Sequence, residues 1–334
     1  MNGFSYVRAE DVTTAVRRIA EKSGAKAVAG GTNLIDLIKC DVERPQRLVD
    51  INHMNHMPCG SITVCDGGGL RLGALATNAE VARDEQVRAR YPLLSEAILA
   101  GASPQIRNMA TVGGNLLQRT RCPYFYDTAT PCNKRTPETG CSALDGFNRN
   151  HAILGASEHC IATHPSDMCV ALAALEAEVC VSGPVADRTI AFGDFHRLPE
   201  DLPHLDSNLE SDEIITAVEL PAKGFAEHYA YLKVRERTSF AFALVSVAVG
   251  LEMQGDAIAE ARLALGGVAH KPWRNRRAET LLEGRQASRE NFQQAAEAML
   301  YGAQGYGQND FKIPLAKRAI VRALTQAAAG VQRQ

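Results

Sequence analysis

The chain has 334 residues, enough for a sizeable core and for two or three structural units. Lysine plus arginine number 36 against 38 aspartate plus glutamate, a formal net charge of −2, which gives no reason to expect nucleic acid as a partner, since phosphate binding needs a concentrated positive surface. The longest apolar run, Ala241 to Leu251, is far short of the roughly 20 residues that span a bilayer, and membrane insertion is not expected.

In chain order, Phe4 to Val7 reads as a strand and Asp11 to Lys22 as an amphipathic helix with Val12, Ala15, Val16 and Ile19 on one side. Ala25 to Ala29 is a second strand running into a glycine turn and a helix, and Leu48 to Ile51 a third strand. From Ser61 two strands flank a glycine turn, with helices predicted over Asn78 to Arg90 and Leu93 to Ala100. "MATVGGNLL" reads as a short strand and turn. Residues 118–161 lack periodicity and form an irregular excursion. A helix over Ser166 to Ala177 and a strand over Glu178 to Val181 follow. "YAYLKV" and "FALVSVAVGLEM" then read as strands, with helices at Asn291 to Met299 and Pro314 to Ala329. The pattern is α+β in three units rather than one doubly wound sheet.

Two glycine turns carry the binding chemistry. In "AVAGGTNLIDL", residues Ala27, Val28 and Ala29 lead a strand into Gly30 and Gly31, and Thr32, Asn33 and Leu34 open a helix. Paired glycines let backbone N–H groups converge on an anion without Cβ clashes. "QIRNMATVGGNLL" repeats the design, with Arg107, Asn108, Thr111, Gly114 and Asn115 placed to bracket a phosphate or sugar. Two such turns suit opposite walls of an extended phosphate-bearing cofactor. Neither contains GxGxxG or a lysine-closed P-loop, so Rossmann and ATPase readings fall away. His164 precedes Pro165 where it can line a pocket. Asp167 falls at a helix start behind Ser166, and Lys233, Arg235 and Arg237 decorate a strand end. No HExxH or GxSxG supports a hydrolase.

Nine cysteines without a secretion signal are not a disulfide framework. Cys122, Cys132, Cys141 and Cys160 lie in or beside the excursion, with nine, eight and eighteen residues between them. Four thiolates suit a [4Fe–4S] cluster or structural zinc, and free cysteines are the third reading. A loop this long and this apolar-poor calls for some constraint beyond hydrophobic burial, which a metal centre would supply. Cys169 and Cys180 read as small buried hydrophobes.

Taken together, "AVAGGTNLIDLIK", "QIRNMATVGGNLLQ", "HPSDM" and "YLKVRERTSFAFALVSVAV" resemble the FAD-binding medium subunit of the xanthine dehydrogenase and aldehyde oxidase family, in the family's order. The insert "RTRCPYFYDTATPCNKRTPETGC", continued by "EHCIATHPSD", resembles the iron–sulfur-containing flavoprotein subunits of periplasmic aldehyde oxidoreductases.

The resemblance implies a two-part FAD-binding region of the vanillyl-alcohol-oxidase type, over residues 1–57 and 58–222, and a C-terminal α+β domain over 223–334 like that of carbon monoxide dehydrogenase flavoproteins. The cysteine insert would occupy about 118–161. By the same resemblance, Ala29 to Leu34 would wrap the pyrophosphate of a non-covalent FAD, with Thr111, Gly114 and Asn115 opposite. Asp167 would bind the cofactor's polar tail, and Lys233 would lie near the isoalloxazine. Cys122, Cys132, Cys141 and Cys160 would ligate one [4Fe–4S] cluster. The implied partners are a large molybdenum-cofactor subunit, which would hydroxylate an aldehyde, and a small subunit with two [2Fe–2S] clusters. Electrons would pass from that small subunit through FAD to an external acceptor, with no catalytic side chain in this chain. The complex would be periplasmic, exported folded on a partner's signal, or else cytoplasmic. Alternatives are a related molybdenum hydroxylase or hydroxybenzoyl-CoA reductase subunit, a standalone flavin oxidase and a zinc-stapled scaffold.

Overall fold

The computed structural model describes residues 2–56 and 58–330, and these form three sheets. The first is parallel, with β1 (Ser5–Arg8), β2 (Ala25–Val28) and β3 (Arg47–Asp50) in the order β1-β3-β2. Parallel neighbours need a crossover, which α1 (Val12–Ala20) and α2 (Leu34–Lys39) provide. Asp11 starts α1 by accepting the Thr14 N–H at 2.6 Å, and the buried face is Ala15, Val16 and Ile19, the periodicity read from sequence.

The second sheet is antiparallel, ordered β4-β5-β8-β6-β7: β4 (Ile62–Val64), β5 (Leu70–Gly73), β6 (Glu178–Ser182), β7 (Asp187–Ala191) and β8 (Ile214–Leu220). Its central strand, β8, was not expected, because the polar stretch before it hid a short buried run. Between β5 and β6 come α3 (Asn78–Arg83), α4 (Glu85–Arg90), α5 (Pro92–Ala100), α6 (Pro104–Arg107), α7 (Val112–Leu116), α8 (Pro123–Tyr126) and α9 (Asp167–Ala174). The single helix expected over Asn78 to Arg90 is broken at Asp84, whose ψ of 133° ends α3 and whose carboxylate caps α4 at Val87 N–H. "MATVGGNLL" is not a strand. Thr111 caps α7 through the Gly114 N–H at 3.3 Å and turns the segment helical.

After α10 (Phe192–Phe195), the third sheet is antiparallel with order β12-β11-β10-β9: β9 (Tyr229–Val234), β10 (Val245–Gln254), β11 (Ala257–Gly266) and β12 (Trp273–Arg274). The apolar run of β10 is buried on both faces, with α9 packed on one side and α13 (Lys312–Ala329) on the other, alongside α11 (Arg276–Thr280) and α12 (Arg289–Met299). Every residue of α9 is buried, so this small-residue helix joins the second and third sheets in one core. Its N-terminus opens beside the cleft described next. No helix among the described residues is long and apolar enough to cross a membrane.

Candidate functional site

The two glycine turns meet. A Cβ on Gly30 would stand 1.8 Å from the Met109 carbonyl oxygen, so the turn after β2 packs backbone to backbone on the loop between α6 and α7. That contact, more than any ligand, is why Gly30 is glycine. Gly31 has φ 69°, and a Cβ there would meet Ile35 Cγ1 at 2.8 Å. Among the described residues nothing accepts the backbone N–H groups of Gly30 to Leu34. Five consecutive open donors at a helix start suit a negative group. Asn33 is spent differently: its Oδ1 accepts the Arg119 N–H at 2.8 Å.

On the opposite wall, the Asn78 N–H reaches the Ala110 carbonyl at 2.8 Å and holds the residue before the α7 cap. Asn115 Oδ1 accepts from Ser166 Oγ at 2.5 Å and from Gln118 Nε2 at 2.8 Å. Ser166 in turn caps α9 by accepting the Cys169 N–H at 3.0 Å. The second glycine turn and the start of α9 are therefore one hydrogen-bonded wall.

Asp167 and Lys233, expected on different parts of the cofactor, are 2.8 Å apart. Tyr231 and Lys233 alternate on β9, and that period of two aims both at Asp167. The Tyr231 hydroxyl donates to Asp167 Oδ1 at 2.6 Å, while Lys233 Nζ also reaches the Ala100 carbonyl at 3.1 Å. Burial and the adjacent Asp167 carboxylate keep the Tyr231 hydroxyl protonated, its pKa well above the ordinary tyrosine value. The three side chains form one fixed polar unit.

These elements enclose a cleft of about 940 Å³. Of the residues expected to bind the cofactor, Ala27 to Leu34, Arg107, Thr111, Gly114, Asn115, Asp167 and Lys233 line it. Arg107, however, points its guanidinium at the Gly101 carbonyl, 2.6 Å away, and is drawn down in pKa by burial and by Arg83. Asn108 and His164 are not in the lining. The His164 ring lies behind it, 4.3 Å from the ring of His196, and burial keeps both imidazoles neutral, His196 at about 4. The lining also holds residues that sequence reasoning missed: Arg119, His196, Asp206, Phe240 and Phe242. Asp206 accepts from Lys134 Nζ at 2.5 Å and Arg119 Nε at 2.7 Å, and Arg119 also pairs with Glu43 at 2.6 Å. Burial raises the Asp206 pKa, but these two cations outweigh it and hold the carboxyl well below the usual carboxylate range. No spacing could have announced that pairing, but the alternating "SFAFAL" was a visible signal for the two phenylalanines.

The four cysteines of the excursion do come together, around a small cavity of about 10 Å³ with room for about one water. Three of the four sulfurs have local partners. Cys122 Sγ is 3.1 Å from His151 Nε2, and Cys141 is hydrogen-bonded to Cys160. That bond and nearby backbone N–H groups pull Cys141 down to about 6, while burial pushes Cys122 up to about 12. The compact donor set among the described residues is another one: His164, Cys169 and His196, with ligating atoms within 4.8 Å of one another. Two imidazoles and one thiol are not a tetrathiolate site. The expected [4Fe–4S] cluster on Cys122, Cys132, Cys141 and Cys160 is accordingly corrected: FAD is retained as cofactor and the cluster is not. The constraint assigned to a metal comes instead from polar side chains on backbone. Lys312 Nζ reaches the carbonyls of His151 at 2.8 Å and Gly267 at 2.5 Å, and Arg135 bonds those of Tyr124 and Phe125 at 2.8 and 2.9 Å.

Comparison with known proteins decides the family. Residues 2–223 match the FAD binding domain in molybdopterin dehydrogenase, and residues 229–327 match the CO dehydrogenase flavoprotein C-terminal domain. The chain is a FAD-binding medium subunit of the xanthine dehydrogenase, carbon monoxide dehydrogenase and aldehyde oxidoreductase family. It is 47% identical, over 98% of its length and 99% of the relative's, to the aldehyde oxidoreductase FAD-binding subunit PaoB of Escherichia coli K12. It is 26% identical to the carbon monoxide dehydrogenase medium chain of Hydrogenophaga pseudoflava, over 97% of this chain and 96% of that one. Among solved structures, carbon monoxide dehydrogenase from the same organism superposes with a TM-score of 0.77 at 26% identity, and quinoline 2-oxidoreductase from Pseudomonas putida 86 with 0.75 at 25%, each covering 98% of both chains. This medium subunit is thus α+β, with an N-terminal FAD-binding region and a CO-dehydrogenase-flavoprotein-like C-terminal domain. It serves as the flavoprotein of a molybdenum-hydroxylase-type, multi-subunit oxidoreductase. The open N–H groups of Gly30 to Leu34 and the extended cleft fit a dinucleotide with a charged pyrophosphate.

Proposed function

We propose that this subunit holds FAD non-covalently across the cleft and carries electrons from an aldehyde-oxidising molybdenum subunit to an external acceptor. The observation that carries this reading is the row of five open N–H donors facing the cleft between two interlocked glycine turns. Gly30 to Leu34 would bind the pyrophosphate, with Ala27 to Ala29 behind it and Thr111, Gly114 and Asn115 on the other side. Lys233 would serve the isoalloxazine end, its Nζ fixed by Asp167 and the Ala100 carbonyl. Asp167 would act through Lys233 and Tyr231. When bound, FAD supplies the ability to collect electrons singly and return them singly or in pairs. The chain's own work is to bind, orient and shield it.

The residues divide into 1–57 and 58–222 as the two FAD-binding parts and 223–334 as the C-terminal part. The partners would be a large molybdenum-cofactor subunit and a small subunit with two [2Fe–2S] clusters, in a heterotrimer. The similarity to an aldehyde oxidoreductase subunit over almost the full length of both chains supports an aldehyde as the substrate class. The complex would be periplasmic, exported on a partner's signal. The test is co-expression with the neighbouring partner genes. An aldehyde substrate should bleach the flavin absorbance of the complex and leave the isolated flavin-loaded subunit oxidised. Bleaching of the isolated subunit, or none in the complex, would refute the assignment.

A further inference from the structure

The turn that carries the five open N–H groups is held at both ends through asparagine side chains. At its far end Asn33 accepts the Arg119 N–H at 2.8 Å, and its Nδ2 donates to the Tyr126 hydroxyl at 3.4 Å. At its near end the parallel ladder between β2 and β3 runs out. A last bond joins the Ile51 N–H to the Val28 carbonyl at 3.1 Å. At Asn52 the chain leaves the sheet in a short 3₁₀ segment, Asn52–His56, and among the described residues no backbone N–H reaches the Ala29 carbonyl. A side chain takes that place: Asn52 Nδ2 donates to the Ala29 carbonyl at 3.1 Å.

Asn52 is itself fixed. Asp50 Oδ1 accepts from the Asn52 N–H at 2.9 Å and from its Nδ2 at 2.7 Å, and Asp50 Oδ2 accepts from the Tyr6 hydroxyl at 2.5 Å. Tyr6 and Arg8 share one face of β1, and Arg8 stands in register with Asp50, which brings the hydroxyl and the carboxylate together on that face. Burial pushes the Asp50 carboxyl up in pKa, but the bonds from Tyr6 and Asn52 outweigh it and hold it below its ordinary value. Asn52 is exposed, Tyr6 is 53% exposed, and neither lines the cleft. Core packing does not call for this chain of bonds. It ends on the carbonyl of the residue just before Gly30.

We propose that Asn52 is a positioning residue for the anion-binding turn, with Asp50 and Tyr6 as its support. By fixing the Ala29 carbonyl it sets the direction of the Gly30 to Leu34 N–H groups before the cofactor arrives. This rests on the reading that the pyrophosphate of FAD occupies that turn. Donors already ordered in the empty protein need not be ordered by the ligand, so the residue strengthens binding without touching it. The effect belongs to the diphosphate and leaves the isoalloxazine environment alone.

The experiment uses the full-length subunit stripped of flavin. It compares the wild type with Asn52→Leu, which keeps the bulk and removes the donor, and with Tyr6→Phe, which removes only the bond to Asp50. Four quantities are read: affinity for FAD, affinity for ADP by displacement of FAD, the absorption spectrum of the bound flavin at saturation, and the melting temperature of the flavin-free chain. Asn52→Leu should bind FAD and ADP about five- to tenfold more weakly, the share of one hydrogen bond, with the wild-type flavin spectrum. Tyr6→Phe should show a smaller loss in the same direction. A lower melting temperature with unchanged affinities would make Asn52 a structural residue and overturn the proposal. So would a weakened hold on FAD with ADP affinity unchanged, which would move the effect to the flavin end. Wild-type Gly30 to Leu34 amides that gain no protection from saturating FAD would instead overturn the pyrophosphate reading beneath it.

Discussion

The cleft and the cysteine excursion are both built from irregular backbone, and they treat polar groups in opposite ways. In the cleft, the N–H groups of Gly30 to Leu34 have no acceptor among the described residues. In the excursion, side chains close on backbone. Asn133 Oδ1 accepts the Gly140 N–H at 2.7 Å while its Nδ2 reaches the His159 carbonyl at 3.0 Å, and Asn148 reaches the Tyr306 carbonyl at 2.8 Å. Open donors mark a surface prepared for a ligand, whereas closed ones mark a loop that is its own scaffold. The apolar contribution there is divided between a small cluster of Leu37, Phe125 and Cys132 and the burial of Ile153 and Leu154 against the C-terminal core.

The comparison breaks first, and most completely, at Gly30. Gly30→Val would drive its side chain into the Met109 carbonyl and separate the two glycine turns. Near-complete loss of bound FAD is expected in a chain that still folds, read as the flavin-to-protein ratio. Retention of flavin by this variant would show that the interlock is not needed for binding.

The excursion's scaffold is tested next by Asp206→Asn, which strips the counter-ion from the buried Lys134 and leaves Arg119 paired with Glu43 alone. The expected cost is about 3 kcal/mol, the low end for breaking a buried pair because Asp206 keeps some access to water. The pH dependence has a definite sign. The folded pKa of Asp206 lies below its unfolded value of about 3.9, so its stabilisation is present above that pH and lost as the solution is acidified. Chemical denaturation from pH 7 downward should show a shallower acid loss in Asp206→Asn than in the wild type.

Lys312→Met would leave the His151 and Gly267 carbonyls without their donor, at about 2 kcal/mol. Burial draws the ammonium down to about 7, so the unfolded chain binds the extra proton between there and about 10.4. In the wild type this group therefore adds stability as pH rises from 7 toward 10, and that slope should vanish in the variant. A slope unchanged by the substitution would assign the pH dependence to other groups. Smallest is Ser166→Ala, which removes the α9 cap at about 1 kcal/mol and frees Asn115. A modest drop in melting temperature with weakened FAD affinity is expected. Lost stability with unchanged affinity would separate the cap from the cofactor wall.

What was legible from sequence followed local chemistry. The glycine pairs, the cap at Ser166 and the amphipathic face of α1 are each written within a few residues, and each is where expected. The segment around Gly113 was read as a strand and turn because its valine and leucine outweighed the cap at Thr111, which makes it helical. Pairings across the chain were invisible. Asp167 and Lys233 were both picked out, but their separation of 66 positions concealed that they touch. Asp206 was not picked out at all, since its partners Lys134 and Arg119 come from the excursion. The cysteines were correctly grouped in space, yet the metal was inferred from a missing core that buried polar contacts replace.

The central claim is that the open N–H groups after β2 are the pyrophosphate site. It is tested most directly by amide hydrogen exchange over residues 29–36, with the subunit stripped of flavin and then saturated with FAD. The account predicts that the Gly30 to Leu34 amides exchange quickly without flavin and become strongly protected with it, while the N–H groups of β3 stay protected throughout. Full FAD occupancy with no change in exchange at Gly30 to Leu34 would contradict it.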